Sequence, residues 1–436
     1  MVIPEDTKRK YEPYPEYRDT GMGWLGQIPV HWDLEPLGIN ANLMVPMRDK
    51  PTEFDGQVPW IRIEDFEGKF IADSRTGQRV SENTIKNMNL RVYPVGTVLC
   101  SCSCSMGATA IVTSPLISNQ TFIGIIPSRK LLPDYIYYLM QVAKDHLDSI
   151  ATGSIQQYLS RNDFSRLRIP IFPVQEQRAI TDFLDREATR LDELIAKKQR
   201  LIELLQEQRT ALITHTVTKG LTPDAPKKYG GVEWLGEIPT HWEVNRLKWG
   251  VSLINDKVEN GETDTIYLGL ENVESWTGRI IESDFRPEQE GASNSFRKDD
   301  VLFGKLRPYL AKAVHAQYHG ICTSELMVLR PQKYYPRYLF YYMLSRSTVN
   351  IIDSSTYGVK MPRANWQFIG NLPTPLPPLR EQQVIARFLD RETDRIDGLI
   401  GRINQAIEKL QEYRSAIITA AVIGKIDVRG EIVRYE

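Results

Sequence analysis

The residues best suited to chemistry at a surface are cations, amides and aromatics set beside glycines and strand ends. Lys305-Leu-Arg-Pro-Tyr309 is the densest such patch, basic and aromatic, directly after a strand-like Asp300-Val-Leu-Phe303. Gly358-Val-Lys-Met-Pro-Arg363 adds Lys360 and Arg363, and Gly153-Ser-Ile-Gln-Gln-Tyr-Leu-Ser-Arg161 adds Gln156, Gln157 and Arg161. Arg62 lies toward the end of the strand-like Val58-Pro-Trp-Ile-Arg-Ile63. Together with Arg307 and Tyr309, these side chains can reach phosphate oxygens or base edges. Taken one at a time, each is equally at home in a solvated loop.

Other chemistries are weaker. Cys100, Cys102 and Cys104 alternate with serines, as on one face of a half-buried strand. A metal site would want CxxC-like pairs with matching His or Cys elsewhere. His31 and His241 each precede a tryptophan in a turn and read as packed, not ligating. The chain has no GxxxxGK[ST] phosphate loop, no GxGxxG opening a βαβ unit, no HExxH helix and no GxSxG elbow. Such a chain binds rather than reacts.

Composition is that of an ordinary soluble protein, 42% hydrophobic and 25% charged, with no apolar run of the ~20 residues that span a bilayer. The polar, Tyr/Pro-rich start is no secretory signal, so a reduced, cytoplasmic protein is expected. At 436 residues two to four domains fit. The net charge of −1 does not announce a nucleic-acid binder.

What positions the candidate residues is an internal repeat. Trp24-Leu-Gly-Gln-Ile-Pro-Val-His-Trp32 returns as Trp234-Leu-Gly-Glu-Ile-Pro-Thr-His-Trp242, and Phe183-Leu-Asp-Arg-Glu187 returns as Phe388-Leu-Asp-Arg-Glu392. A period this long means two copies of one unit. Variable stretches at 24–172 and 234–377 read as mixed α and β, each the size of a domain. Strands are expected near 58–63, 96–99 and 108–113 in the first, and near 265–270, 300–303 and 326–329 in the second. Aromatic helical segments at 133–140 and 336–343 follow.

Each stretch feeds a long helix, at 173–220 and 378–427. One seam runs through Leu191, Leu194, Lys198, Leu201, Leu205, Gln208 and Leu212. The other runs through Ile396, Leu399, Ile403, Ala406, Leu410, Tyr413, Ile417 and Ala420. Steps of three and four over about four heptads signal two helices packing as a coiled coil. Residues 1–23 read as a leader, 221–233 as a flexible linker and 428–436 as a tail.

The WLGxIPxHW motif, the glycine turn, the PLxEQ lead-in and FLDxExxxID running to Gly424-Lys-Ile-Asp427, all but the last doubled, resemble the specificity subunit of type I restriction-modification systems over nearly the whole chain. The resemblance implies an α+β fold. Two mixed α/β target recognition domains would each read half of a split DNA sequence, separated by two long antiparallel coiled-coil helices related by a pseudo-twofold repeat. It implies that the helices dock two methyltransferase subunits and that restriction/translocase subunits join them. This chain would then be non-catalytic, with no cofactor of its own, and S-adenosylmethionine, ATP and Mg would belong to the partners. A coiled-coil scaffold without DNA readout is the competing reading. A lone methyltransferase comes third, because the chain lacks both a glycine-rich S-adenosylmethionine loop and an (N/D)PP(Y/F)-like tetrapeptide.

On this reading the helices act as a ruler. Adding seven residues near Leu201 and seven near Ala406 keeps the apolar seam in phase. It lengthens the rod by roughly 10 Å at 1.5 Å per residue, so the unspecified spacer of the target should grow by about 3 base pairs at 3.4 Å each. Methylome mapping of the variant checks this, and an unchanged spacer refutes it.

Overall fold

The computed structural model describes residues 11–46, 50–103, 107–151, 158–258, 266–281, 293–356 and 361–431. The fold is α+β, and the chain forms two compact units, Met1–Ala196 with Ala406–Glu436, and Lys197–Gln405. Two long helices, Val174–Lys219 and Leu379–Val422, contribute to both. Each therefore supplies its start to one unit and its end to the other.

In the first unit a five-stranded sheet runs in the order Ala41–Met44, Phe122–Pro127, Val98–Ser101, Thr109–Val112, Phe70–Ile71. A smaller sheet holds Ile117–Ser118, Val58–Ile61 and Arg79–Val80. All three strands expected here form, and the aromatic segment is the helix Pro133–Val142. The described part of the leader, from Tyr11, is packed into the unit. Tyr11 and Tyr14 are buried in the core, and Tyr17–Asp19 pairs with Gln27–Pro29.

The repeated motifs explain why the helix starts where it does. Glu176, in the first helical turn, accepts hydrogen bonds from Tyr14 Oη (2.8 Å) and Trp32 Nε1 (3.0 Å), and His31 Nε2 lies 3.0 Å from its second oxygen. Burial, then the bond to Glu176, drives the Tyr14 hydroxyl far above its ordinary pKa, so it stays a donor. Gln177, fully buried, accepts from Leu132 N and donates to the Lys130 and Phe172 carbonyls. Asp185 accepts from Tyr138 Oη and Lys69 Nζ, both at 2.6 Å. At the far side the second long helix ends: Tyr135 Oη donates to Val422 O at 3.1 Å, and Ile417, Val422 and Ile426 join the core.

The second unit repeats the scheme with different strands. One four-stranded sheet orders Val251–Ile254, Leu326–Pro331, Val301–Gly304, Ala313–His315; another orders Lys257–Val258, Ser293–Phe296, Gly320–Cys322, Tyr267–Leu268. The three expected strands again form, as does the aromatic helix Pro336–Leu344. His241 lies 2.8 Å from Glu381, and Gln382 accepts from Tyr335 N at 2.7 Å. Asp390 accepts from Tyr341 Oη (2.7 Å) and Arg337 Nε (2.6 Å), and Tyr338 Oη donates to Val217 O at 2.9 Å. The copies also differ at the tryptophan: Trp242 Nε1, unlike Trp32 Nε1, has no partner among the described residues. The expected flexible linker carries a strand instead. Lys227–Tyr229 pairs with Glu237–Pro239, because its free backbone groups meet that edge.

The helical seams sit one residue later than sequence steps suggest at alternate positions. Leu191, Ile396 and Ile417 are buried and Leu205, Leu212, Leu399, Ile403 and Leu410 half-buried, but Leu194 and Leu201 are 40% and 46% exposed. Their neighbours Ile195 and Ile202 are the more buried, Gln208 gives way to buried Arg209, and Ala406 to buried Ile407. The stripe of the first helix is thus Leu191, Ile195, Lys198, Ile202, Leu205, Arg209, Leu212, a strict four-three alternation. Arg414 meets Asp192 at 2.9 Å in one unit, and Arg209 meets Asp397 at 3.1 Å in the other. Seventeen residues forward from Asp192 is Arg209, and seventeen back from Arg414 is Asp397, so the helices run antiparallel.

Both long helices end in a left-handed glycine against a motif tryptophan. Gly424 (φ +71°) leaves no room for a Cβ, which would lie 2.5 Å from Pro29 Cδ and 2.9 Å from Trp32 Cη2. Gly424→Ala should therefore cost about 2–4 kcal/mol, from left-handed strain plus overpacking. Denaturant unfolding followed by tryptophan fluorescence measures it, and a change below about 0.5 kcal/mol, the size of an ordinary surface substitution, contradicts the packing.

Candidate nucleic-acid interface

The basic patch of the second unit is a hairpin connection. Gly304 N donates to Lys312 O (2.8 Å), closing a loop that contains the 3-10 turn Pro308–Leu310. Arg307 (φ +49°) and Ala311 (φ +45°) flank that turn in the left-handed region. Non-glycine residues avoid this region at about 1–2 kcal/mol each, and such outliers gather at functional sites. Here the conformation holds Arg307 and Tyr309 outward, both exposed, while Pro308 is buried beneath them.

Arg363, 56 residues on from Arg307, comes to the same loop. Leu306 and Arg363 form an antiparallel bridge, Arg307 N donates to Pro362 O (2.8 Å), and Ala364 N donates to Lys305 O (2.9 Å). Lys305 N donates to Glu325 O, and the Arg363 guanidinium pairs with the Glu325 carboxylate at 3.0 Å. Lys305 and Arg307 have no ion pair among the described residues. Two separate sequence candidates are thus one surface.

The first unit has the same construction with different side chains. Ser103 and Tyr158 form an antiparallel bridge, and Leu159 N donates to Cys102 O (2.9 Å). Strands Val98–Ser101 and Val301–Gly304 occupy matching places, so Cys102-Ser103 stands where Lys305-Leu306 stands in the other copy. Gln156, Gln157, Lys360 and Cys104 lie outside the described residues. Arg161 is exposed and donates from Nε to Leu43 O (3.1 Å), and Arg62 pairs with Glu64 at 3.1 Å. Burial pushes the Cys102 thiol up to about 11 and that of Cys322 up to about 12, so both are neutral thiols. Among the described residues no group of three or more His, Cys, Asp or Glu could hold a metal. No helix there is long and apolar enough to cross a membrane.

Sequence reasoning missed the residues that tie each unit to the start of its long helix. Glu176, Gln177 and Asp185 with Glu381, Gln382 and Asp390 were visible as repeated letters, and repetition is the signal of a shared structural task. Arg209 and Arg414 recur at the same offset as Asp192 and Asp397, which marks them as equivalent pairs.

The type I restriction modification DNA specificity domain matches this sequence twice, over residues 45–204 and 276–409. The type I restriction enzyme MjaIX specificity subunit of Methanocaldococcus jannaschii is 26% identical, with 96% of this chain and 98% of that protein covered. The EcoDI specificity subunit of Escherichia coli is 21% identical over 92% of this chain and 90% of its own length. Among solved structures, one described for complex assembly and conformational transition of the type I R-M system matches with a TM-score of 0.67 at 18% identity, covering 92% of this chain and 99% of that one. The HsdS subunit from Thermoanaerobacter tengcongensis matches with a TM-score of 0.51 at 18% identity, covering 92% and 98%. These structural likenesses bear on the fold.

If this loop meets DNA, its two cations are expected to make different kinds of contact. Lys305→Ala should weaken binding to all DNA sequences alike and flatten the salt slope by about 1. Arg307→Gly should relax one base position by about 1–3 kcal/mol, while stabilising the fold by up to about 1 kcal/mol, since glycine adopts φ +49° freely. Quantitative binding over a library of single-base target variants distinguishes them. Unchanged binding by both variants would place the loop outside the interface.

Proposed function

The chain belongs to the type I restriction modification DNA specificity family, and from that membership we propose that it reads a split DNA target, one half with each domain, inside a complex it shares with methyltransferase and restriction subunits. The observation that carries this reading is the paired loop. In each unit the residue just past a central strand is bridged to a residue more than fifty positions later, Ser103 to Tyr158 and Leu306 to Arg363, in matching places but with unlike side chains. Matching scaffolds with unlike tips are what two independent readers of two different half-sequences require. Base contacts specify while phosphate contacts position, and Lys305, Arg307, Tyr309 and Arg363 supply both kinds.

The chain itself performs no chemistry on DNA. S-adenosylmethionine, ATP and Mg are handled by the partner subunits, and the outward faces of the long helices dock the methyltransferases. The domain limits 24–172 and 234–377 serve as exchange boundaries. The near-neutral charge fits a subunit whose partners provide much of the phosphate affinity.

Replacing residues 24–172 by the corresponding domain of another specificity subunit should change one half of the methylated sequence and leave the other half and the spacer intact. Long-read methylome mapping of a strain carrying the chimera and its methyltransferase partner reads the outcome. A change in both halves would refute modular reading. A scaffold without DNA readout would leave the methylated sequence untouched.

A further inference from the structure

Resting on the assignment of the 305–311 loop as a DNA reader, we infer that Arg209 of the first long helix is a positioning residue for that loop and tunes specificity without touching DNA. Arg209 is 6% exposed in the helical stripe. Its Nε donates to Asp397 Oδ1 (3.1 Å) and its Nη1 to the carbonyl of Trp276 (2.8 Å). Trp276, itself left-handed at φ +67°, donates its N–H to Ala311 O at 3.2 Å, the residue that closes the reading loop. Two hydrogen bonds therefore carry the helix position to the loop.

A second strut runs beside the first. Thr214 Oγ1, one turn along the same helix, accepts from Arg346 N (2.8 Å) at the start of the helix Arg346–Ser354, which packs on the turn Pro308–Leu310. The Arg346 guanidinium lies 5.4 Å above the Trp276 ring and ties the struts together. A groove of about 1260 Å³ lined by Arg209, Trp276, Arg279 and Arg346 opens between them. Beside the packing of Pro308 and Ala311, the loop is thus tied to the helix by directed bonds along these two paths. Arginine is required because its planar fork can bond a carboxylate and a carbonyl at once, which a lysine ammonium on a flexible stem does not hold in one geometry.

The repeat counterpart behaves otherwise. The hydrogen bonds of Arg414 go to Asp192 alone among the described residues, and that carboxylate is 55% exposed. The effect of Arg209 should accordingly be confined to the half-site read by residues 234–377.

The test uses the full chain co-expressed with its methyltransferase subunits, with methylation frequency measured at every single-base variant of the target. Arg209→Lys should lower discrimination about tenfold, within the range one bidentate base contact provides, at the base positions that Arg307→Ala also relaxes. The other half-site should stay as in the unaltered chain. If Arg209→Lys fails to fold, Arg209→Met with Asp397→Asn leaves no buried charge and carries the same expectation. Equal weakening of both half-sites would show a merely structural role and overturn the inference. Unaltered discrimination alongside a relaxed Arg307→Ala would also overturn it. If Arg307→Ala leaves the target unchanged, the loop is not a reader, and the assignment beneath the inference falls first.

Discussion

Each unit depends on one clasp: a motif tryptophan held between the start of one long helix and the end of the other. Trp32 donates to Glu176 in the first turn of its own helix and lies beneath Gly424, where the second helix stops. Trp242 lies beneath Gly220 in the same way, 3.2 Å from where a Cβ would sit. The clasp explains why the chain writes His-Trp and Glu-Gln twice and keeps a glycine at both helix ends. It also makes the order of the chain and the make-up of its units different things. The first unit is incomplete until residues 406–431 arrive, because Ile417, Val422, Ile426 and Val428 are part of its core. Burying side chains of this size contributes about 1.5–3 kcal/mol each, so a chain stopped before the second helix loses the wall on which Tyr135 and Trp32 rest.

With every anchor at the helix side, the strand tips are free to differ. Glu176, Gln177 and Asp185 bond the tryptophan motif, the approach to the aromatic helix and that helix itself. None of them bonds the tips at Ser103 or Leu306. A loop such as Lys305–Ala311 can then change its side chains without disturbing the clasp. The strain at Arg307 and Ala311 belongs to the same division, since it is held locally by Pro362 and Trp276.

Much of this was legible in the sequence, and the misses have physical causes. The six strands, both aromatic helices and both long helices follow from period and composition. The seam slipped at Leu194-Ile195 and Leu201-Ile202 because two adjacent apolar residues satisfy a helical period equally well, and only packing selects the isoleucine. It was further hidden at Arg209 and Arg414, where the stripe is charged. The joining of Lys305–Tyr309 to Arg363 could not be read at all, for it rests on a bridge between residues more than fifty apart. The clasp was visible only as repetition.

Near-neutral net charge loses its awkwardness once the pairs are placed. Lys69 meets Asp134 and Asp185, Arg337 meets Asp390, Arg209 meets Asp397, Arg330 meets Asp300 and Arg414 meets Asp192. These cations hold helices and sheets together and are not available to phosphates. Their acids are counted against a basic total that was never the relevant one. What matters at a DNA surface is the cation left without a carboxylate, and among the described residues Lys305 and Arg307 have no ion pair. A phosphate contact contributes about 0.9 to the logarithmic salt slope, so a handful of free cations gives shallow dependence and modest affinity. On the proposed function, a subunit built this way would gain from partners that supply the remaining phosphate contacts.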